Sequence, residues 1–279
     1  MTSVLNKHLL PIYDKPMIYY PLSILMMAGI RNILIISSPE DLPFFRNLLG
    51  EGARFGIKLS YDIQPLPEGL AQAFLIGEEF IGMDDVAMIL GDNIFYGGGL
   101  RERLAKAADN QTRGKATIFG YQVKDPSRFG VIEFDRLGGV ISVEEKPKTP
   151  KSDYAATGLY FYDNRVIDYA KKVKPSWRNE LEITDINRMY LEDGDLEAVQ
   201  LGRGFAWMDA GTPESLADAS AFIRSVEMNQ GLKIACLEEI ALNNGWMLPS
   251  DLQIFQEKYS KSDYGKYVCK LLAEKGKQG

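Results

Sequence analysis

Short apolar runs alternate with amphipathic segments along the first half of the chain. Residues 33–37 are an apolar run rich in β-branched side chains, which is typical of a strand buried on both faces of a sheet, and residues 86–90 are a second, wholly apolar strand. Further strands are predicted over residues 59–64 and 116–120, and helices over residues 17–30, 43–50, 70–80 and 100–108. Strands that alternate with helices predict an α/β fold with a parallel sheet and right-handed crossovers.

The second half of the chain has a different pattern. A hairpin is predicted around Gly138-Gly139, a pair typical of tight turns. The hairpin strands cover residues 130–135 and 140–145, further strands cover 155–162, 196–201 and 205–208, and a helix covers 182–193. From Thr212, an N-cap residue followed by Pro213, the chain is predicted to be mostly helical. No repeat or linker interrupts this order, so we predict one domain over residues 1–279.

Composition and charge narrow the classes of partner. Of the 279 residues, 46% are hydrophobic and 25% are charged, so the chain can bury a large core. The formal net charge is -6 and no block of basic residues occurs, which gives no support for a nucleic-acid or membrane partner. Residues 17–30 are apolar but too short to span a bilayer, and Pro21 and Gly29 fit the start and the stop of a buried helix. A small soluble ligand is therefore expected.

Rare residue types exclude several mechanisms. Cys236 and Cys269, the only cysteines, lack the spacing of a zinc site or a disulfide framework, which fits a protein of the reducing cytoplasm. His8 is the only histidine, and we interpret it as a packing residue rather than a base. Enzymatic chemistry would then depend on carboxylates, lysines and a metal with oxygen ligands.

Two aspartates follow predicted strands. Asp92 comes directly after the apolar run 86–90, and Asp209 comes after residues 205–208. Ligands of open α/β sheets bind beyond the carboxyl ends of the strands, and Mg²⁺ prefers one or two carboxylates together with phosphate oxygens. Asp92 could instead be a turn residue, and Asp209 a carboxylate at a helix entry. The pair predicts a magnesium site, with these structural roles as alternatives.

Two lysines are candidate phosphate ligands. Lys146 lies between Glu145 and Pro147, and the proline favours an extended backbone at Lys146, from which the ammonium could meet a phosphate. Lys7 has the same potential. A solvated surface charge is the alternative interpretation of both residues.

Several motifs occur together in one order. They are NKHLLP (residues 6–11), DKPMI (14–18), Gln64 with PEGLAQ (67–72), LGDN (90–93), EEKP (144–147), TGLY (157–160) and EITD (182–185). In this combination the chain resembles the sugar-1-phosphate nucleotidyltransferases, most closely the members that use dTTP and glucose 1-phosphate. The resemblance runs from about residue 2 through the helix after Asp209 and, less sharply, to the C-terminus.

The resemblance implies a reaction and a fold. Family members condense a nucleoside triphosphate, here dTTP, with glucose 1-phosphate to give dTDP-glucose and pyrophosphate. Their fold is a Rossmann-like, mixed but mostly parallel central sheet flanked by helices. It would divide this chain into a nucleotide-binding part (1–125), a sugar-binding part (126–212) and a C-terminal helical region (213–279). The resemblance also implies a cytoplasmic homotetramer that supplies the dTDP-rhamnose pathway and polysaccharide biosynthesis.

The resemblance further assigns roles to individual residues. Asp92 and Asp209 would hold Mg²⁺, Lys146 would bind the sugar phosphate, and Lys7 would face the triphosphate. The implied substrate-binding residues are Gln64, Pro67 and Gly69 at the thymine, Gly130, Glu145, Ala156 and Tyr160 at the hexose, and Asn93. Because the attacking phosphate oxygen is already anionic, this chemistry needs positioning and charge neutralisation rather than a general base.

The sequence departs from the family pattern at its start. Family members open with a buried strand and a GGxGTRLxPxT loop that cradles the triphosphate, whereas this sequence begins at Met1-Thr2, where that motif would end. We therefore expect a central sheet without its first strand. Phe129 replaces a tyrosine common in the family, and Ala156 replaces a common valine.

Three functions stay open at the level of sequence. The first is thymidylyl transfer, with UTP as an alternative nucleotide. The second is a non-catalytic relative that binds a nucleotide or sugar nucleotide. The third is a metal-dependent glycosyltransferase, which would need an aspartate pair after a strand, whereas Asp84-Asp85 precede residues 86–90.

Overall fold

The computed structural model describes residues 6–252 and 261–275, in which strands and helices alternate along most of the chain. The strands are β1 Pro11–Ile12, β2 Lys15–Pro16, β3 Asn32–Ser37, β4 Lys58–Ile63, β5 Val86–Ile89, β6 Asn93–Gly97, β7 Ala116–Gln122, β8 Gly130–Phe134, β9 Val140–Glu145, β10 Tyr154–Tyr162, β11 Leu196–Leu201 and β12 Phe205–Asp209. The helices are α1 Tyr19–Met27, α2 Leu42–Leu49, α3 Gln72–Ile76, α4 Glu78–Ile81, α5 Leu100–Gln111, α6 Val166–Ala170, α7 Ile183–Glu192, α8 Pro213–Gln230, α9 Leu237–Asn243 and α10 Asp263–Lys275.

The largest sheet is built around β10. Its strand order is β11-β7-β10-β8-β9, and β5 also pairs with β10. β8 pairs with β10 at Ala155, whereas β5 pairs with β10 from Leu159 to Tyr162. The register between β10 and β7 shifts between Ala156 and Tyr160. The sheet therefore forks beside Gly158, which lies between the two pairings.

The predicted mixed α/β fold is confirmed, and strands of one direction predominate in the largest sheet, where β5, β7, β8 and β11 all run the same way. In the described part of the chain, β3 pairs with β4 and β11 pairs with β7 in parallel, whereas β10 is antiparallel to β5, β7 and β8. The predicted hairpin is present as antiparallel β8 and β9. β10, a long strand rich in aromatic residues, runs against its neighbours at the centre of the sheet, and local sequence patterns do not encode that reversal.

Helices flank the sheets, as predicted. One buried cluster joins α1, α2, α9 and α10 to β3 and β4, and a second joins α6 and α7 to β7 and β10. Glycine ends α1 and α2 as the sequence indicated, with Gly29 and Gly50 at positive φ. Thr212 caps α8 through a reciprocal pair of hydrogen bonds with Ser215.

One predicted helix needs correction, and some elements were not predicted. The helix expected over 70–80 is two short helices, α3 and α4, which meet at Gly77. β6 and α6 were not expected. β6 begins directly after Asp92 and pairs with β12, so its formation depends on a strand from a distant part of the chain.

A groove of about 560 Å³ separates β3 from β5. Leu34 and Ile36 line it from β3, and Ala87 and Ile89 line it from β5. Within the described residues β3 pairs only with β4, and β5 only with β10, and all of β5 is half-buried. The prediction that residues 33–37 are buried on both faces is therefore only partly confirmed: Ile33 and Ile35 are buried, whereas Leu34 and Ile36 line the groove and are half-buried.

No helix in residues 6–252 or 261–275 is long and apolar enough to cross a membrane.

Candidate active site

Asp92 and Asp209 lie together where β6 and β12 meet. Asp209 ends β12 and is paired with Asn93, which begins β6. The backbone N–H of Ala210 donates to the carbonyl of Asp92 at 2.9 Å. Antiparallel pairing thus brings together the two carboxylates that the sequence singled out from distant parts of the chain.

Lys7 adds a positive charge to this pair. Its ammonium lies 2.5 Å from Oδ2 of Asp92. Lys7 begins a short 3-10 turn that Asn6 holds in place, because the Asn6 side chain accepts from the N–H of His8 at 2.9 Å and donates to Asp41 at 2.7 Å. The Lys7 side chain is 36% exposed, so its ammonium is accessible to a phosphate in solution.

The two carboxylates differ in their electrostatics. Burial acts to raise the pKa of Asp92, but the hydrogen bond and charge of Lys7 outweigh burial, and this pKa lies below its usual value. Burial, followed by the charge of Asp92, raises the pKa of Asp209 above its usual value. A further cation between the pair would therefore lower the energy of ionised Asp209 most.

These residues fit a magnesium ion that arrives with phosphate. In the described part of the chain no group of three or more His, Cys, Asp or Glu converges on one point. Mg²⁺ commonly binds through one or two carboxylates and completes its octahedral shell with water and substrate phosphate oxygens. Two adjacent aspartates that open toward an exposed lysine suit this mode of binding.

His8 packs beneath the site, as predicted from its isolation in the sequence. Its ring lies 6.4 Å from the ring of Phe45, and a Cβ added to Gly91 would lie 3.0 Å from three of its ring atoms. Glycine at position 91 is what lets the imidazole approach the backbone this closely. Burial lowers the pKa of His8 to about 4, with Asp92 opposing and Lys7 adding to the shift. His8 is therefore neutral at physiological pH.

A pH dependence of stability follows from this burial. Above pH 6.5 the imidazole of His8 is neutral in both the folded and the unfolded chain, so its protonation does not affect the free energy of unfolding. Between pH 6.5 and 4 the unfolded chain takes up a proton that the folded chain does not. The free energy of unfolding should fall by about 3 kcal/mol across that window from this group. Urea unfolding at several pH values checks this, with His8→Gln as the comparison. The same pH slope in both proteins would contradict the prediction.

The residues predicted for the hexose converge at the fork of the sheet. Gly130 begins β8 and is paired with Glu145 at the end of β9. A Cβ added to Gly130 would lie 3.5 Å from both the Cβ of Ala156 and Oε2 of Glu145. Tyr160 is buried on β10, where burial and the charge of Glu145 raise the pKa of its hydroxyl. These four residues form one group that includes the carboxylate of Glu145.

Sequence reasoning missed the residues that hold Glu145. The Thr184 hydroxyl donates to Oε2 of Glu145 at 2.5 Å, and the Arg178 guanidinium lies 3.3 Å from Oε1. Arg178 also bonds Glu182, at 2.7 Å. Burial, with Glu182 adding and Thr184 opposing, raises the pKa of Glu145. Of these residues, only Thr184 belongs to a motif that the sequence offered, EITD at residues 182–185. Arg178 lies in the loop before α7, where no motif pointed to it.

Lys146 does not have the extended backbone that Pro147 predicted. Its φ is +41°, in the left-handed region, and its N–H donates to the carbonyl of Phe129 at 3.0 Å. That hydrogen bond turns the backbone directly after β9, so the chain stores strain at this lysine. The side chain is exposed. The Phe129 ring packs on Trp207, two residues before Asp209, at 5.2 Å between ring centroids. Lys146 therefore lies in the same neighbourhood as the carboxylate pair.

The segment predicted to bind the thymine joins the two halves of the molecule. Gln64 donates to the side chain of Gln72 at 2.6 Å, and Pro67 is exposed. Gly69 has a φ of +108°, and an added Cβ would lie 2.4 Å from the backbone N and O of Leu181. This close approach requires glycine. The segment therefore docks on the loop before α7, next to Arg178.

Paired carboxylates at strand ends, an adjacent lysine and a neighbouring polar pocket define a phosphate-handling transferase. The chain belongs to the nucleotidyl transferase family, whose model matches residues 1–226. The resemblance drawn from the motifs is thereby confirmed.

Within this family, the chain is similar to relatives that are named for one particular reaction. A glucose-1-phosphate thymidylyltransferase of Neisseria meningitidis is 58% identical over 272 residues, which cover 98% of this chain and 94% of that one. One of Mycobacterium tuberculosis is 52% identical over 274 residues, covering 98% and 93%.

Solved structures agree. A Bacillus anthracis structure described as a glucose-1-phosphate thymidylyltransferase in complex with sucrose matches with a TM-score of 0.74 and 42% identity, over 80% of this chain and 88% of that chain. A UDP-glucose pyrophosphorylase structure with UDP-glucose matches with a TM-score of 0.69 over 79% and 90%, but its 24% identity supports the fold alone.

Proposed function

We propose that this protein transfers a thymidylyl group from dTTP to glucose 1-phosphate, giving dTDP-glucose and pyrophosphate. The observation that carries the proposal is the convergence of Asp92, Asp209 and Lys7 in a chain that is 52% to 58% identical to enzymes named for this reaction. The non-catalytic alternative is not favoured, because these charged side chains are all present and converge.

The reaction requires little acid–base chemistry. A phosphate oxygen of glucose 1-phosphate attacks the α-phosphorus of dTTP in line, a new P–O bond forms, and the bond to pyrophosphate breaks. The attacking oxygen is already ionised, so no residue has to remove a proton. A half-buried His8 that is neutral at physiological pH is consistent with such a mechanism. The protein must instead hold two anions together and neutralise their charge.

The charged residues divide this task. Asp92 and Asp209 would hold Mg²⁺, which when bound neutralises charge on the triphosphate. Lys7, paired with Asp92 in the structure, would exchange that partner for a phosphate oxygen of dTTP. Lys146 would hold the phosphate of the sugar, because it directly follows Glu145 of the predicted hexose pocket at the end of β9 and its side chain is exposed. Lysine binds phosphate as a compact point charge with three donors.

The neighbouring polar groups would select the two substrates. Glu145, fixed by Thr184 and Arg178, would accept hydrogen bonds from hexose hydroxyls, with Gly130, Ala156 and Tyr160 shaping the pocket. Gln64, Pro67 and Gly69 would face the base. An amide such as that of Gln64 offers both a donor and an acceptor to a pyrimidine edge.

A pyrophosphate-release assay tests the proposal. Glucose 1-phosphate with dTTP and Mg²⁺ should release pyrophosphate and yield dTDP-glucose, identified by its mass. Omitting the sugar phosphate or adding EDTA should stop release. Equal rates of pyrophosphate release with dTTP and with UTP would show that the enzyme does not distinguish thymine from uracil. No release with any nucleoside triphosphate would contradict the proposed reaction.

We also propose a cytoplasmic homotetramer that supplies dTDP-glucose for nucleotide-sugar biosynthesis. In support, Cys236 and Cys269 are both free thiols. Exposed apolar side chains, Met228, Leu232 and Leu248, also lie around the C-terminal helices, where a second copy could cover them. Light scattering after size-exclusion chromatography would measure the assembly.

A further inference from the structure

The side chain of Asn93 is enclosed at the fork of the sheet. Asn93 is 2% exposed, and its carboxamide contacts three different strands or strand ends. Oδ1 accepts from the indole N–H of Trp207 at 2.7 Å and from the backbone N–H of Gly158 at 2.9 Å. Nδ2 donates to Oδ1 of Asp92 at 3.0 Å.

These contacts determine which way the amide faces. The oxygen of an asparagine accepts two hydrogen bonds, and here both come from N–H groups that cannot accept one in return. Turning the amide around would place its NH₂ against two donors and its oxygen against the carboxylate of Asp92. The N–H of Asn93 is therefore held toward Asp92, on the oxygen that Lys7 does not contact.

The two donors are themselves fixed. The Trp207 indole is 8% exposed and packs on the rings of Phe129 and Tyr121, at 5.2 Å and 6.0 Å between centroids. Gly158 brings its backbone N–H to Asn93 because it has no side chain. An added Cβ would lie 2.7 Å from Oδ1 of Asn93 and equally close to Leu90. The hydrogen-bond network thus begins in packed aromatic rings and ends on Asp92.

We propose that Asn93 is a positioning residue for Asp92, oriented by Trp207 and Gly158, rather than a contact for the substrate. Its oxygen has no acceptor capacity left for a sugar hydroxyl, and its side chain is enclosed. A partner that fixes a metal-ligating carboxylate raises metal affinity without touching the metal, and its loss commonly costs 10- to 100-fold. This inference deepens the proposed function and rests on it for the identity of the metal-bound nucleotide.

Binding measurements can test this positioning role without turnover. The dissociation constant of dTTP is measured by calorimetry in EDTA and again with Mn²⁺ as the metal probe, and the ratio of the two reports coupling between metal and nucleotide. Asn93→Ala and Trp207→Phe should reduce this ratio about tenfold. Damage to the nucleotide pocket alone would change both constants together and leave the ratio unchanged.

Tyr121→Phe is the matched control. It removes a hydroxyl that donates to the carbonyl of Phe205 at 3.1 Å, in the same aromatic group, without touching Asn93. Its ratio should equal that of the original protein. Trp207→Phe keeps an aromatic ring but removes the N–H, so it tests the network even if Asn93→Ala fails to fold.

Two results would overturn the inference. An unchanged ratio in Trp207→Phe would show that the indole N–H does not act through Asn93. Weakened binding of glucose 1-phosphate with an unchanged ratio in Asn93→Ala would make Asn93 a sugar ligand instead. Failure of the proposed function is distinguishable, because the coupling ratio is measured without the second substrate. A protein that makes no dTDP-glucose can still show the expected loss of coupling.

Discussion

Replacing Asp92 or Asp209 with asparagine is expected to lower kcat by about a thousandfold or more. Asparagine keeps the shape of aspartate but removes one of the two negative charges that would hold Mg²⁺. Because burial and the charge of Asp92 disfavour ionised Asp209, Asp209→Asn should unfold at the same temperature as the original protein or a higher one. Pyrophosphate release across a range of Mg²⁺ concentrations, with thermal unfolding of the same samples, measures both effects.

Asp263→Asn is the control for these two variants. Asp263 is exposed at the start of α10 and pairs with Lys266 on the same helix, at 3.0 Å. An exposed pair of this kind contributes at most about 1 kcal/mol, so turnover should be unchanged. Normal magnesium-dependent turnover in either Asp92→Asn or Asp209→Asn would refute the metal assignment.

Lys146→Gly is expected to separate activity from stability. Losing a hydrogen-bonded charge on the sugar phosphate should raise the KM for glucose 1-phosphate about 10- to 100-fold and lower kcat. The φ of +41° costs a residue with a Cβ on the order of 1 kcal/mol, a cost that glycine does not have. Glycine, however, loses about 0.5–1 kcal/mol more on folding because of its greater conformational freedom, so the two effects offset and the variant should be about as stable as the original protein. Steady-state kinetics and urea unfolding measure the two effects.

Lys148→Gly is the matched control, since Lys148 is also exposed and follows Lys146 by two residues. It should leave the KM for glucose 1-phosphate unchanged. The KM for dTTP is an internal reference within Lys146→Gly and should change far less than that of the sugar phosphate. Equal rises in both would mean that Lys146 acts on the nucleotide or on the site as a whole.

Most elements could be predicted from local patterns. Apolar runs indicated β3 and β5, the glycine pair indicated the hairpin of β8 and β9, and Thr212 with Pro213 indicated the start of α8. Strand direction could not be predicted in this way. Alternation of strands with helices suggested parallel pairing, but β10 runs against three neighbours, because pairing depends on contacts between segments far apart in the chain.

The candidate site was predictable where it coincides with motifs. Asp92, Asp209, Lys7 and Glu145 were all singled out, and the structure brings the first three together. Arg178 was missed because an arginine in a polar loop resembles any surface charge until packing places it against Glu145. The backbone of Lys146 was wrongly predicted, since a hydrogen bond to Phe129 overrides the preference that Pro147 imposes.

By itself the sequence determined the class of fold and which carboxylates and lysines are available for phosphate transfer. Those properties depend on composition and on residues close together in the chain. Only the tertiary structure decided that Asp209 lies beside Asp92, and that the amide of Asn93 meets the indole of Trp207, 114 residues away. Such contacts form because distant strands share one core, and their geometry depends on the packing of the whole molecule rather than on any local pattern.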